Sequence, residues 1–409
     1  MVVHAYYIQD ARVRRYAEGL VGRGDQVDVI CLHKEGEPPE ETVEGVHVVR
    51  VPLTRRRGGV LRYLFEYTLF LLLALFQLSI LYFRNRYDVV HVHNMPDVLV
   101  FSAFVPKLLG AKVILDMHDP MPELYISKYG FHPNSLAIRM LQWLEQLSIR
   151  YADQVITVDE SFKSMFERRG TPVEKIAIVM NMPDTRIFNR MRYSALSSNE
   201  NGSFTMIYAG TISERYNLDT AIRAMPILRE HIPGVRLDII GKLAEEGPYT
   251  RELMRLAQSL GLNGSVRFEH SLPLEEIPKR IAEADVGLSL SRRDVYMDYV
   301  LPLKVLECIA MGKPVIASER TTLRHYFDES SMLFFQPGDV KGFVECVSKL
   351  YRTSWIRDQL SRNADLFLQA HTWEQQLAHY FKIVDHLVSA LPPRPVTAAA
   401  ARPRIRYAA

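Results

Sequence analysis

A chain of 409 residues exceeds one typical hydrophobic core, so its length predicts two domains. With 48% apolar and 24% charged residues, the composition excludes a disordered chain, and a net charge of +3 gives nucleic acid no electrostatic footing. The three cysteines, Cys31, Cys308 and Cys346, lie far apart, with neither a disulfide framework nor a metal-ligand spacing, which fits a reducing compartment.

Val2–Ile8 reads as a first strand that begins at the first residue. Its shortness leaves two readings, a few missing upstream residues or a misassigned start, and no signal peptide is expected at Met1–Tyr7. The polar loop Gln9–Arg15 leads into a helix over Arg12–Gly22. Arg12 there is either a charge offered to an anion or part of a solvated basic face. Val27–Leu32 and Val46–Val51 read as strands.

Leu61–Phe83 is the most apolar stretch. Arg62, Glu66, Gln77 and Arg84 share one narrow helical stripe, Arg55, Arg56 and Arg57 precede it, and Arg84 and Arg86 follow. Its uncharged run, Tyr67–Phe83, is 17 residues, at the lower edge of a membrane span. The strands before and after it belong to one sheet, which argues against crossing. An interfacial helix on an anionic inner-leaflet surface is the reading preferred, with a buried core helix as the alternative.

Val89–His93 follows as a buried strand, Pro96–Leu109 as a helix, Lys112–Asp116 as a strand, Pro133–Tyr151 as a helix and Gln154–Val158 as a strand. This alternation predicts a parallel, doubly wound sheet. Ligand crevices in such sheets lie outside the carboxyl ends of the strands. The loop His118-Asp119-Pro120-Met121-Pro122-Glu123 sits at such an end. His118 there is suited to bonding a sugar hydroxyl or phosphate, with Asp119 or Glu123 orienting it or the acceptor; the plainer alternative is a loop histidine bonded to its neighbour. His91 and His93 read as buried or strand-end residues, with His93-Asn94 a weaker site candidate.

Ile176–Met180 is a strand, and the polar run 194–203 reads as the interdomain linker. The second half alternates again: strands at Phe204–Ala209, Arg236–Gly241, Val266–Glu269, Val286–Leu290, Val315–Ala317 and Met332–Phe335, with helices at Leu218–His231, Tyr249–Leu260, Glu275–Ala284 and Val340–Arg352. Two such units imply a ligand cleft between them. After the first of these strands, Gly210 permits close backbone approach and Arg215 can neutralise a diphosphate, or simply pair with Glu214 at the surface. Gly241-Lys242 ends another strand near the same edge. Trp373–Leu387 is a last apolar helix, and the tail 391–409 is expected to be disordered.

The centre of the chain is Tyr299–Ser318. Pro302 suits a helix start, Leu303, Leu306 and Ala310 recur at helical spacing, and Gly312 stops the helix. Lys304 and Glu307 share the opposite face, so a diphosphate at the helix start and a ribose on the carboxylate describe a sugar-nucleotide site. The alternative is an amphipathic surface helix with an i,i+3 ion pair. This stretch resembles the donor-binding helix of the retaining glycosyltransferases of family 4, which have the GT-B fold. Glu307 matches the second of the family's two glutamates and MGKPVIAS the motif's tail, whereas the first glutamate falls on Tyr299, with Asp298 adjacent. The resemblance extends from about residue 5 to about 385. It departs in the first loop, which lacks the usual glycines, and in the 210–217 turn, where the usual arginine and lysine fall on Thr211 and Tyr216.

The resemblance implies an α/β chain of two Rossmann-like domains with parallel sheets facing across a cleft. Residues 1–193 form the acceptor-side domain, 194–203 the linker, 204–370 the nucleotide-sugar domain, and 371–390 a helix crossing back. It implies a retaining, nucleotide-sugar-dependent glycosyltransferase without resident cofactor or metal. Its acceptor is a glycan or lipid-linked molecule of the bacterial cell envelope at the cytoplasmic membrane face. His118, Asp298 and Glu307 take the catalytic roles. Gly210, Arg215, Lys304 and Glu307 hold the donor, and Arg12, Asp119 and Glu123 are acceptor or phosphate candidates. A sugar-nucleotide epimerase on the same fold and a non-catalytic sugar-nucleotide or membrane scaffold are the alternatives.

Overall fold

The computed structural model describes residues 1–55, 59–194, 203–241 and 247–392. Most of the 194–203 linker, together with Arg56, Arg57, Lys242 and nearly all of the 391–409 tail, falls outside them. The chain forms two compact units. One is Met1–Met180 with the segment from Glu374 onward, and the other is Asn181–Trp373. The division therefore falls at Met180, ahead of the serine- and asparagine-rich run.

In the first unit β1 (Asp28–Leu32), β2 (Glu40–Val43) and β3 (Val46–Val51) form one end of a sheet, and β4 (Val89–His93), β5 (Lys112–Met117), β6 (Gln154–Thr157) and β7 (Ile176–Ile178) the other. Val2 joins them, bridging Ile30 on one side and Val92 on the other. The expected first strand is cut short. Backbone bonds link Met1, Val3 and Ala5 to β1, and the chain then turns into a 3-10 helix at Tyr7–Gln9, burying the Tyr7 ring. β2 was not anticipated. It pairs antiparallel with β3 through the turn Glu44-Gly45, where both residues have positive φ, as tight hairpins require. The helix expected over Pro96–Leu109 is divided into a 3-10 helix, Asp97–Ala103, and a short α-helix, Phe104–Leu108.

Helix α1 (Ala11–Arg23) is capped by the Asp10 carboxylate, which accepts from Val13 N, and ends at Gly24 with φ 99°. Helix α2 (Val60–Asn85) makes the β3-to-β4 crossover. Its one acid, Glu66, is 4% exposed and faces His4, while Leu64, Phe65, Leu72, Phe76 and Phe83 are exposed. The buried-core alternative therefore does not describe this helix. It is long and apolar enough to cross a bilayer, yet it joins strands of one sheet.

The second unit carries a six-stranded parallel sheet in the order β10-β9-β8-β11-β12-β13. These are β8 (Thr205–Ala209), β9 (Arg236–Gly241), β10 (Val266–His270), β11 (Val286–Ser289), β12 (Val315–Ser318) and β13 (Leu333–Phe335). The central strands β8, β11 and β12 are buried on both faces, so they read as continuous apolar runs, whereas the edge strand β10 is largely open. The chain runs outward from β8 to β9 and β10, then returns to β11 on the other side of β8. The reversal between β8 and β11 is a topological switch point, where open α/β sheets place their ligand crevice.

Candidate functional site

The helix Leu303–Ala310 begins directly after Pro302, in the crossover from β11 to β12. Val305, Leu306, Cys308 and Ile309 are its buried residues, and Leu303 is exposed, so the apolar arc is rotated from the expected one. Gly312, at φ 69°, ends it as its position predicted. The rotation leaves Lys304 and Glu307 half-buried at the switch point.

Lys304 Nζ donates to Tyr208 Oη at 2.8 Å and lies 4.2 Å from the Tyr208 ring centre and 4.0 Å from that of Tyr216. The Tyr208 hydroxyl in turn donates to the carbonyl of Thr211 at 2.6 Å. Gly210, directly after β8, has a φ of 154° that L side chains rarely adopt, and a Cβ on it would stand 3.2 Å from Lys304 Nζ. Gly241, at the end of β9, is equally constrained, because a Cβ there would run into the carbonyl oxygen of Gly210. Gly241→Ala is accordingly expected to destabilise the protein by about 1–3 kcal/mol, read as a lowered melting temperature.

Burial, assisted by the charge of Arg320, pulls the Lys304 ammonium down to about 7. Burial pushes the Glu307 carboxyl up to about 7, with Lys304 opposing. Lys304 bonds to Tyr208 and, among the described residues, forms no ion pair with Glu307; the surface-helix alternative fails on this point. Instead the fold holds an amine and a carboxyl at the carboxyl edge of the sheet, each shifted by burial towards its neutral form. Asp298 is half-buried, and its carboxyl is raised by burial against the pull of Arg320. The Asp298 carbonyl accepts from Thr322 Oγ1 at 2.7 Å, tying the loop after β11 to the residues after β12. Arg215 sits in the 3-10 turn Glu214–Tyr216 with its guanidinium 5.7 Å from the Tyr296 ring, and Glu214 faces Arg292 rather than Arg215. Gly210, Arg215, Asp298, Lys304 and Glu307 thus all belong to the carboxyl edge of β8, β11 and β12. Sequence reasoning passed over Arg320. An arginine two residues beyond a buried strand, at the same edge, was the available signal.

The first unit treats its candidates differently. Arg12 is 7% exposed and grips Asp116 with Nε on Oδ2 at 2.7 Å and Nη2 on Oδ1 at 3.0 Å, while Nη1 donates to the carbonyl of Val179. Against the cost of burial, Arg12 and His93 hold Asp116 well below the usual carboxylate range. Arg12 is therefore a strut between α1, β5 and β7, which corrects its reading as a phosphate ligand. Glu123 is also corrected. The expected polar loop becomes the first turn of a helix, Met121–Tyr129, and Glu123 is buried there on Arg169 Nη2, whose Nη1 bonds Glu145 at 2.8 Å. Two buried acids share one arginine, and burial pushes Glu145 up to about 8 against the pull of Arg169.

His118 and Asp119 stay half-buried at the end of β5. Asn94 organises them: its Oδ1 accepts from His118 N at 3.1 Å, and its Nδ2 donates to Asp119 O at 2.6 Å and to Asp97 Oδ1 at 2.9 Å. His118 Nδ1 is buried without a hydrogen-bond partner among the described residues. His91 and His93 are both buried; His93 Nδ1 meets Asp116 Oδ2 at 3.1 Å and His91 Nδ1 meets Tyr380 Oη at 2.9 Å. These two histidines and Asp116 bring one potential ligand atom each within 4.8 Å of one another, but the Arg12 fork occupies both Asp116 oxygens and sets a positive charge against any cation there.

Two family models cover most of the chain: a glycosyl transferase 4-like domain over residues 9–182, and glycosyl transferases group 1 over residues 193–367. The chain belongs to the family-4 type of glycosyltransferases, enzymes of the GT-B fold, built from these two domains. Among curated relatives, a GDP-mannose-dependent alpha-(1-6)-phosphatidylinositol monomannoside mannosyltransferase of Mycolicibacterium smegmatis is 34% identical over 33% of this chain and 34% of its own length. The matched region thus spans about a third of that relative. The putative glycosyltransferase EpsD of Bacillus subtilis is 26% identical over 73% of this chain and 78% of its own. Among solved structures, sucrose-phosphate synthase from Thermosynechococcus elongatus superposes with a TM-score of 0.73 at 19% identity, covering 93% of both chains. Anabaena HepE in complex with UDP superposes with a TM-score of 0.70 at 15% identity, covering 94% of this chain and 99% of its own. These likenesses are of fold.

Proposed function

We propose that this glycosyltransferase takes a sugar from a nucleoside-diphosphate donor, retains its anomeric configuration, and passes it to a glycan or lipid-linked acceptor at the cytoplasmic face of a membrane. The observation that carries this reading is the Lys304 ammonium, held on two tyrosines against Gly210 at the switch point, with Glu307 one turn along. The difficult requirement in glycosyl transfer is the charge of the departing diphosphate. Arg215, the start of the helix Leu303–Ala310 and Lys304 in its protonated form supply positive potential there, and groups already held in place by the fold cost little reorganisation as charge develops. Glu307 bonds the ribose hydroxyls, Asp298 reads the sugar in place of the absent first glutamate, and His118 positions the sugar or its phosphate. Asp119 orients the acceptor. The nucleotide sugar is the only small-molecule co-substrate this scheme needs, with no resident metal.

The membrane surface in this reading is the exposed face of α2, reinforced by a second stripe. Leu136, Met140 and Trp143 are exposed on the helix Leu136–Tyr151, and both helices pack on the 3-10 helix Asp97–Ala103. Arg62, Arg84 and Arg86 are exposed along α2 and suit anionic headgroups.

A thermal-shift panel of UDP, GDP, ADP and dTDP with their sugars tests the donor site. One diphosphate is expected to raise the melting temperature selectively, since a ligand at one hundred times its Kd stabilises by about 2.7 kcal/mol. A flat response from folded protein overturns it. Product analysis without acceptor separates transfer from epimerisation, and selective binding without turnover favours the scaffold.

A further inference from the structure

Arg320 follows β12 at the same sheet edge as Gly210 and the loop carrying Asp298. It is 2% exposed. Its Nη1 donates to the carbonyl of Met297 at 2.8 Å and reaches that of Val300 at 3.5 Å. Its Nε and Nη2 are buried and have no hydrogen-bond partner, and no carboxylate forms an ion pair with it among the described residues. A buried guanidinium is normally paired on every side, because each unmet N–H forfeits its solvation. Burial pulls Arg320 down to about 10, with Asp298 and Tyr216 opposing. Lys304 also feels the Arg320 charge. Two cations thus share the surroundings of Tyr216, Lys304 over its ring and Arg320 under its electrostatic influence. The turn positions where the family resemblance implies an arginine and a lysine, Thr211 and Tyr216, carry no charge.

An arrangement in which a buried arginine with two unmet donors repels a half-buried lysine is completed by an anion with oxygens for both. We propose that Arg320 is a further donor-binding residue, its Nε and Nη2 forming a fork for the oxygens of the donor diphosphate while Lys304 bonds the same group. The proposal rests on the donor site assigned above and adds to it the residue that distinguishes a diphosphate from the rest of the nucleotide. A fork binds two oxygens of one phosphate at fixed spacing, which an ammonium cannot do. The Nη1 bonds to Met297 and Val300 aim the fork and tie it to the loop carrying Asp298. Binding of the diphosphate would thereby order the segment that reads the sugar.

The test compares wild type, Arg320→Gln and Arg320→Lys by titration calorimetry in magnesium-free buffer. The probes are inorganic pyrophosphate and UDP, GDP, ADP and dTDP, each with its nucleoside. Arg320→Gln is expected to weaken the diphosphate that wild type binds about thirtyfold or more, and to change the matching nucleoside less than threefold. Arg320→Lys, which keeps the charge but not the fork, is expected to lose about tenfold on the diphosphate, and it serves if the glutamine variant does not fold. Equal losses for diphosphate and nucleoside in a folded variant would make Arg320 only a support for the 297–300 turn and overturn the proposal. So would unchanged diphosphate affinity, which leaves the donor site itself standing. Failure of folded wild type to bind pyrophosphate or any nucleoside diphosphate overturns both.

Discussion

Lys304→Met is expected to weaken nucleoside-diphosphate binding about a hundredfold near pH 6.5, with turnover falling at least as far. A charge-assisted hydrogen bond out of reach of bulk water contributes about 1.5–3 kcal/mol, and methionine keeps the stem that covers the tyrosine rings while deleting the charge. The pH dependence carries a sharper signature. The Lys304 ammonium of the free protein is pulled down to about 7 by burial and the Arg320 charge. An incoming diphosphate favours the protonated form, so binding takes up a proton. Below pH 7 the ammonium is already charged and affinity is nearly flat; above pH 7 the proton must be acquired, and affinity falls about tenfold per pH unit. Glu307, pushed up to about 7, adds to the fall by becoming an anion over the same range. Calorimetric affinities between pH 6 and 9 check this, with Lys304→Met giving a shallower profile. Wild-type affinity that does not change with pH would mean the ammonium stays charged throughout, and the desolvated site would be wrong.

The second large effect concerns the surface of α2. Replacing Leu64, Phe65, Leu72 and Phe76 together by serine is expected to reduce binding to phosphatidylglycerol-rich vesicles at least a hundredfold. Each large apolar side chain withdrawn from water contributes about 1.5–3 kcal/mol, and the four are exposed in the protein alone, so their loss costs the fold little beyond helix propensity. The melting temperature should stay within a few degrees of wild type. The residual binding should fall with salt, because Arg62, Arg84 and Arg86 each add about 1 kcal/mol near an anionic surface. Vesicle flotation measures both. Equal flotation of variant and wild type would remove α2 from the interface. A wild type that ignores vesicles but dimerises in solution would make the same face a protein contact.

The two predictions rest on parts of the molecule that were unequally legible in the sequence. The apolar runs and their alternation with helical stretches determined two parallel α/β units, because strands buried on both faces read as continuous hydrophobic segments and period-3.6 patterns separate them. β3, β4 and the helix Val340–Arg352 fall where those patterns place them. The Pro302 start, the Gly312 stop and the Lys304–Glu307 spacing were likewise local, since a helix start, a positive-φ stop and a one-turn interval depend only on neighbouring residues. The antiparallel β2 hairpin was missed although its Glu44-Gly45 turn was there to read.

Tertiary structure decided what each charge meets. Arg12 and Glu123 fall in stretches read from sequence as ligand-facing loops, yet both lie in helices, and each meets a counter-charge, buried Asp116 and half-buried Arg169, more than forty positions away. No local pattern announces a partner at that separation. Arg320 is the converse case. It looks like any polar residue after a strand, and only the packing of the loop after β11 around it seals it from water with two donors unmet. The burial of Glu66 and the exposure of Phe65 are of the same kind. The helix pattern places the two residues on different faces, but only the packing around His4 fixes which face turns inward. Sequence determined most of the helices and strands and, from their alternation, where a crevice is expected, because those follow from short-range periodicity. The identity of the groups that remain free to bind in it follows from long-range pairing, which only the folded chain supplies.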